Sequence, residues 1–223
     1  MADMAAPTPA EAEAAAERED EGFYHEAALN ATWSGSRLAV GGLAFLFGAF
    51  LFAYFYLRAL NSSGRWANTG YRAPSMLLGT AIMLMILVSA GVHYFGLQRI
   101  KAGNKKTWQI CGLITLVLGL GAVAAQIVEL VDLPFPPGSS GFASVFTGFY
   151  PVFIVILLGG LIWLETLLAQ ARFIPAMSFV EQPPTYAGVR TVQRFQASLS
   201  AFATVWNFLA LMAVLFWFLF YAL

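Results

Sequence analysis

Cysteine and histidine are scarce in this sequence. Its 223 residues include one cysteine, Cys111, and two histidines, His25 and His93. A single cysteine excludes an intramolecular disulfide framework and any zinc or iron–sulfur site built from several cysteines. With His25 in the N-terminal tail and His93 in the second apolar run, the chain cannot supply a bis-histidine haem, and still less a second metal. We therefore expect no metal or haem cofactor in this chain, and no catalytic activity of the chain by itself.

Charge is also in short supply. Charged residues make up 11% of the chain, against about 25% in an average soluble domain. The twelve basic and twelve acidic residues cancel, which leaves no net charge to attract a nucleic acid. The sequence has no phosphate-binding glycine loop and no GxSxG nucleophile motif. Together these shortages exclude a disordered protein, a nucleic-acid-binding protein and an ordinary soluble enzyme.

The acidic residues are concentrated at the N-terminus. Residues 1–36 hold eight of the twelve, together with Pro7, Pro9 and a run rich in alanine. So few large apolar side chains cannot bury enough surface to offset the entropy that is lost on ordering. We therefore expect residues 1–36 to be an acidic, disordered cytoplasmic tail, with at most a short helix over Glu11–Glu21. The tail is either a solvated extension or an arm that docks on a partner.

Apolar residues are abundant and make up 59% of the chain. They form five long runs, each with the roughly 20 residues that a helix needs to cross about 30 Å of hydrocarbon. Continuous apolar runs favour helices over a β-barrel, whose strands would alternate over about ten residues. The sequence therefore predicts an all-α fold over residues 37–223, a polytopic membrane bundle with five transmembrane helices. The predicted spans are about 38–60, 75–98, 108–131, 143–170 and 197–222.

Lysine and arginine are distributed unevenly between the two sides of this predicted bundle. One side, that of the N-terminal tail and the second and fourth connections, holds Arg37, Arg99, Lys101, Lys105, Lys106, Arg172, Arg190 and Arg194. The opposite side holds Arg58, Arg65 and Arg72. Because connections rich in lysine and arginine stay in the cytoplasm, we predict the N-terminus inside and the C-terminus outside.

One carboxylate near the end of the third run has polar neighbours at helical spacing. Gln126, Glu129 and Asp132 are three residues apart and share one helix face. A charged side chain costs about 2.5–3.5 kcal/mol at the centre of a transmembrane helix, and less near its ends. This face is therefore either a polar strip that meets a partner helix, a lipid headgroup or water, or simply a helix end at the membrane interface.

Short motifs follow one another from the second run to the last. They are Ser89-Ala-Gly-Val-His93, Ala102-Gly-Asn-Lys-Lys106, Leu118-Gly-Leu-Gly121, Gln126-Ile-Val-Glu129, Pro134-Phe135, Gly141-Phe-Ala-Ser-Val-Phe146, Thr147-Gly-Phe-Tyr150, Trp206-Asn-Phe208 and Leu215-Phe-Trp-Phe-Leu-Phe-Tyr221. In order and spacing they resemble subunit III of the haem–copper oxidases, the cytochrome c oxidase family, in its five-helix form. The family passages read LG…QxxEY…PF, YGSxFF…TGFHG and WHFVDVVWLFLF…Y. The resemblance covers about residues 38–223.

The chain departs from the family pattern at several polar positions. The segment Val40–Gly48 has no counterpart of the Ser-Glu pair in the family's first helix. Tyr150 stands in place of the histidine of TGFHG, and Asn207 in place of the histidine of WH. The family's later aspartate falls near Ala210, and the glutamate that opens its last helix falls near Ser200. No function that these missing groups have in the family is therefore assigned to this chain.

The resemblance implies a divergent, non-catalytic subunit of a respiratory oxidase. In the family this subunit holds no metal, packs beside the catalytic subunit, encloses phospholipid, and is linked to oxygen access and proton uptake. It implies haem and copper in partner subunits, oxidase subunits I and II and other small membrane subunits as partners, and bound phospholipid. It also implies the bacterial cytoplasmic membrane as the location. The residues implied to contact lipid or a partner are Gln126, Glu129, Thr147, Gly148, Tyr150 and Trp206.

Two other functions remain open. A related accessory protein accompanies nitric oxide reductases, and the loss of the acid from Val40–Gly48 keeps that interpretation open. A small transporter or channel belongs to a different class, since it would need polar residues along a path at mid-membrane. The centres of the first, second and fifth runs have almost none.

Overall fold

The computed structural model describes residues 9–61, 64, 66, 72–174 and 186–223. Within these residues the chain forms an all-α bundle, in which five helices are long and apolar enough to cross a membrane. They are α1 (Pro9–Ala59), α2 (Met76–Lys101), α3 (Lys105–Val131), α4 (Gly141–Phe173) and α5 (Tyr186–Trp217), the last continued by a π-helical turn over Phe218–Ala222. The predicted fold class is confirmed, and each predicted span lies within one of these helical stretches to within one residue.

The first helix differs from the sequence prediction at its N-terminal end. Helix α1 has 51 residues and begins at Pro9, so the described part of the expected disordered tail, residues 9–36, is helical. Alanine and glutamate, which are strong helix formers, fill its first turns. In addition, His25 is buried, and its Nε2 lies 2.8 Å from Oε1 of Gln193 on α5. Residues 1–8 of the predicted tail lie outside the described residues.

Side chains mark the starts of three helices. Ser75, Asn104 and Ser140 each accept a hydrogen bond from the backbone N–H three residues further on. Such caps satisfy N–H groups that have no partner inside the helix. The turn between α2 and α3 includes Gly103 at a φ of 84°, a conformation that glycine adopts without steric cost. The Asn104 cap and this turn allow α3 to begin four residues after α2 ends, so that the two helices form an antiparallel pair.

Helix α5 is the central helix of the bundle. It contacts α1, α2 and α4, and half of its most apolar stretch is buried, against 11% for α1. Helices α1 and α5 run parallel, since His25 lies near Gln193 and the Tyr54 hydroxyl donates to the Leu219 carbonyl at 2.7 Å. Helix α1 is therefore peripheral, and Phe45 is among the large apolar side chains on its outer face.

Parts of α2, α3, α4 and α5 meet at one end of the bundle. Helix α3 ends at Val131 and α4 begins at Gly141, so their connection lies at this end. Helix α2 begins there and α5 finishes there, because neighbouring helices along the chain alternate in direction. We call it the connection end.

Candidate functional site

A carboxyl group and two phenols lie together inside the connection end. The Tyr150 hydroxyl on α4 donates to Oε2 of Glu129 on α3 at 2.8 Å. The Tyr221 hydroxyl, from the π-helical turn after α5, donates to Oε1 of the same carboxyl group. The two hydroxyl oxygens also lie within hydrogen-bonding distance of each other. Glu129 is 4% exposed and Tyr150 5%, so three helices enclose this Glu129–Tyr150–Tyr221 cluster.

The residues of the cluster are positioned by local features of their helices. Tyr150 stacks on Phe146, one turn earlier on α4, with ring centroids 4.3 Å apart. It directly precedes Pro151, which cannot donate a backbone hydrogen bond and so weakens α4 at this level. Tyr221 lies in the π-helical turn, which is wound more widely than an α-helix and changes the direction in which a side chain projects.

A glycine on α2 makes room for the second phenol. A Cβ atom at Gly79 would overlap the ring of Tyr221. Because Gly79 has no side chain, α2 and the end of α5 can approach closely enough for the Tyr221 hydroxyl to reach Glu129.

The polar strip predicted on α3 meets neighbouring helices of the same chain. Gln126 and Glu129 are both buried, at 2% and 4% exposure, and Glu129 bonds to α4 and to the end of α5. Asp132, the last member of the strip, is exposed. Of the alternatives that the sequence left open, the structure therefore shows an inter-helix contact for Glu129, whereas Gln126 is buried with no hydrogen bond to its Oε1 among the described residues.

Thr147 and Gly148 lie on a different face of α4. Together with Pro151 and the connection between α3 and α4, they line an open pocket of about 900 Å³. Thr147 is half-buried and its hydroxyl donates to the Ala143 carbonyl of the same helix at 2.7 Å. Gly148 is exposed. These two predicted site residues are therefore accessible from outside the bundle.

Trp206 belongs to a second polar contact, away from the carboxyl cluster. Its Nε1 donates to Oγ of Ser89 on α2 at 3.0 Å. The Ser89 carbonyl accepts a hydrogen bond from Oγ1 of Thr115 on α3 at 3.2 Å. The indole packs on Gly160 of α4, where a Cβ atom would come within 2.8 Å of the ring. Trp206 is fully buried. It joins α5 to α2 and α4, and Ser89 extends this contact to α3.

The structure thus divides the six predicted site residues into three groups. Gln126, Glu129 and Tyr150 lie together, Thr147 and Gly148 line the open pocket, and Trp206 lies elsewhere in the bundle. The buried members make the contacts described above within this chain, and contact with lipid or a partner stays a prediction. Tyr221 is the last residue of the Leu215–Tyr221 motif in the sequence analysis, but it is not among the residues predicted for the site.

Both histidines lie apart from the cluster. His93 on α2 is 1% exposed and packs edge-on to Phe202, with ring centroids 4.7 Å apart. His25 contacts Gln193 near the other end of the bundle. Among the described residues, no group of three or more histidine, cysteine, aspartate or glutamate side chains is placed so that it could hold a metal ion.

Comparisons with known proteins assign no family to this arrangement. The chain matches no protein-family model, and it matches no curated protein. Its function is therefore argued from the order of motifs in the sequence and from the contacts between helices.

Proposed function

We propose that this chain is the non-catalytic subunit III of a respiratory haem–copper terminal oxidase. It supports oxygen reduction and coupled proton translocation by a neighbouring catalytic subunit, through packing, lipid binding and access for oxygen or protons. The observation that carries the proposal is the order and spacing of the motifs across residues 38–223.

Contacts between separate motifs support this proposal. Glu129 of the Gln126–Glu129 motif bonds to Tyr150 of the Thr147–Tyr150 motif at 2.8 Å. Trp206, which opens the last motifs, bonds at 3.0 Å to Ser89, which opens the first. Motif residues that are far apart in the sequence therefore form hydrogen bonds with each other. Such contacts are expected if the motifs determine how the helices pack.

The proposal assigns the redox cofactors to partner subunits. A haem–copper centre needs several histidines that converge on metal, and this sequence has two. His25 is engaged with Gln193, and His93 packs against Phe202 in the interior. Haem and copper are therefore expected in histidine-rich subunits of the same complex, with subunits I and II as the main partners.

The open pocket at the connection end is the proposed site for a phospholipid chain. Its wall consists mainly of apolar side chains of the α3–α4 connection, with Thr147, Gly148 and Pro151 of α4. Its volume of about 900 Å³ accommodates several methylene groups. Such a pocket suits an acyl chain, because its apolar wall offers the chain contacts similar to those that it makes in the interior of the bilayer.

The proposal places the chain in the bacterial cytoplasmic membrane with its N-terminus in the cytoplasm. This orientation follows from the lysines and arginines, which are concentrated on one side of the bundle. Arg99 and Lys101 at the end of α2, and Lys106 at the start of α3, are exposed on that side.

A nitric oxide reductase accessory subunit is the second candidate. It is favoured by one observation, the absence of an acidic residue from Val40–Gly48 in α1. Loss of that acid removes a group that could take part in proton uptake in an oxidase.

Isolation of the full chain with its partners tests these candidates. We would purify the tagged chain in mild detergent and record the reduced-minus-oxidised visible spectrum, with cells that contain the untagged chain as the control. We expect haem bands and oxygen consumption in the purified sample. Turnover of nitric oxide instead would favour the second candidate. A colourless protein without partners would contradict both, and solute flux in liposomes would then test a transporter.

A further inference from the structure

The protons of the Glu129–Tyr150–Tyr221 cluster can be counted. Its oxygens form a closed ring with three contacts: one phenol to each carboxyl oxygen, and one between the phenols. Each phenol supplies one proton. If Glu129 is ionised and both phenols donate to it, no proton remains for the contact between Tyr150 and Tyr221. Two oxygen atoms would then face each other at hydrogen-bonding distance with nothing to bridge them.

A neutral carboxyl group resolves this shortage. It supplies a third proton, so that each of the three contacts contains one donor and one acceptor. In this form one of the two contacts between a phenol and the carboxyl group is reversed: Glu129 donates to one phenol, that phenol donates to the other, and the second phenol donates to the remaining carboxyl oxygen. The close approach of the two phenols is therefore explained by the neutral form of Glu129 and not by the ionised form.

The charged groups near the cluster do not offset a negative charge on Glu129. Arg58 of α1 lies 3.4 Å from the Tyr54 hydroxyl and 3.5 Å from the Leu223 carbonyl, so its guanidinium is directed to these groups. Asp132, the residue that follows α3, is exposed.

The other helices contribute neutral groups near this level of the bundle. From α2, Thr80 accepts a hydrogen bond from the Trp217 indole of α5 at 3.0 Å, and from α4 the neighbour of Tyr150 is the ring of Phe146. Among the described residues, no lysine or arginine contacts Glu129. An ionised carboxylate there would bear the cost of a charge in an apolar medium without an ion pair.

A small cavity adjoins the ring. It has a volume of about 20 Å³, and its lining includes Gln126, Tyr150 and Tyr221. One water molecule needs about 10–15 Å³ and two or more polar partners. Oε1 of Gln126 is buried and accepts no hydrogen bond within the described part of the chain. A water molecule in this cavity can donate to that oxygen and bond to a phenol oxygen.

We propose that the cluster is a proton-binding site inside the membrane. It holds one proton on Glu129 at neutral pH, shared around a closed ring with Tyr150 and Tyr221, and one water molecule joins this ring to Gln126. The proposal concerns the residues of this chain alone, so it stands or fails independently of the partner complex.

Infrared spectroscopy of the full chain in liposomes tests the state of the carboxyl group. At neutral pH we expect a carbonyl stretch of a neutral carboxyl that shifts in deuterated water and is absent from Glu129→Gln. Glu165→Gln is the matched control, because Glu165 carries an exposed carboxyl group on α4, and this change should leave the band in place. A wild-type spectrum without this band, or a band that survives in Glu129→Gln, would overturn the proposal.

Tyr221→Phe tests the ring of hydrogen bonds. It also provides a test of the proposal if the Glu129→Gln variant does not fold. This change keeps the aromatic packing and removes one hydroxyl, so we expect the carbonyl band to move to higher frequency as its hydrogen bonding weakens. An unchanged band would contradict the ring.

Gln126→Leu tests the water molecule. This change should remove an infrared band that is sensitive to ¹⁸O-labelled water, and persistence of that band would exclude the water molecule at Gln126.

Discussion

Gly79 on α2 and Tyr221 after α5 fit together so closely that a Cβ atom on the glycine would overlap the phenol ring. The position of a hydroxyl group on one helix is thus set by the absence of a side chain on another. The contact between Tyr221 and Glu129 therefore depends on Gly79, a residue that has no side chain and takes no part in the hydrogen bond.

Gly79→Ala should destabilise the protein by about 1–3 kcal/mol, because the added methyl group overpacks the contact with Tyr221. Thermal unfolding in detergent would measure the change. Gly91→Ala is the matched control, since Gly91 is exposed on the same helix and a Cβ atom added there would have no neighbour within 4 Å. A similar loss of stability in both variants would show that the overlap with Tyr221 is not the cause.

Ser89→Ala should cost about 1 kcal/mol or somewhat more, because it leaves the Trp206 indole N–H buried without its acceptor. Chemical unfolding at constant detergent concentration would give this difference. The control is Ser144→Ala, which removes an exposed hydroxyl that bonds to the Ser140 carbonyl of the preceding turn. If Ser89→Ala unfolds no more readily than this control, the indole hydrogen bond contributes little.

His25→Ala should loosen the N-terminal part of α1, because it removes the contact with Gln193 on α5. We expect faster hydrogen exchange over residues 9–32, measured by mass spectrometry on the full chain in detergent. Glu26→Ala changes the exposed neighbouring residue and should leave the exchange almost unaltered. Equal protection in both variants would mean that α1 is held there by other contacts.

Gly148→Leu should reduce the amount of phospholipid that purifies with the protein, since the leucine side chain would extend into the open pocket. Quantitative lipid analysis after mild detergent extraction would measure it. Gly159→Leu places the same side chain on α4 at an exposed position with open space around it. Lipid retention that is equal in the two variants would argue against the pocket as a lipid site.

Single cysteines would test the orientation in a Cys111→Ala background. A membrane-impermeant thiol reagent added to intact spheroplasts should label Ser139→Cys, which lies in the exposed α3–α4 connection. The same reagent should label Lys106→Cys, at the exposed start of α3, only after the membrane is permeabilised. The opposite pattern would reverse the proposed topology.

Hydropathy alone was sufficient to predict the five spans, because a helix that crosses hydrocarbon must be apolar over its whole length. It failed for residues 9–36, where few large apolar side chains led us to expect disorder. That argument considered the segment in isolation, whereas α1 continues along α5 and buries His25 there. The contact depends on a second helix almost 170 residues away, which composition cannot reveal.

The candidate site was predicted in part. Gln126 and Glu129 stand out as polar residues in an apolar run, and Tyr150 was identified through the family resemblance. Tyr221 could not be predicted, because its contact depends on the π-helical turn and on the close crossing at Gly79. Neither the winding of a helix end nor the distance between two helices is encoded in a local sequence pattern.

The length of α1 gives the bundle a mechanical property. Its 51 residues, at about 1.5 Å each, measure about 76 Å, whereas the hydrocarbon layer is about 30 Å thick. Beyond the His25 contact, Pro9–Tyr24 extend the helix by roughly 24 Å. A sideways force on this end of α1 is therefore transmitted along the helix to its contacts with α5, the helix at the centre of the bundle.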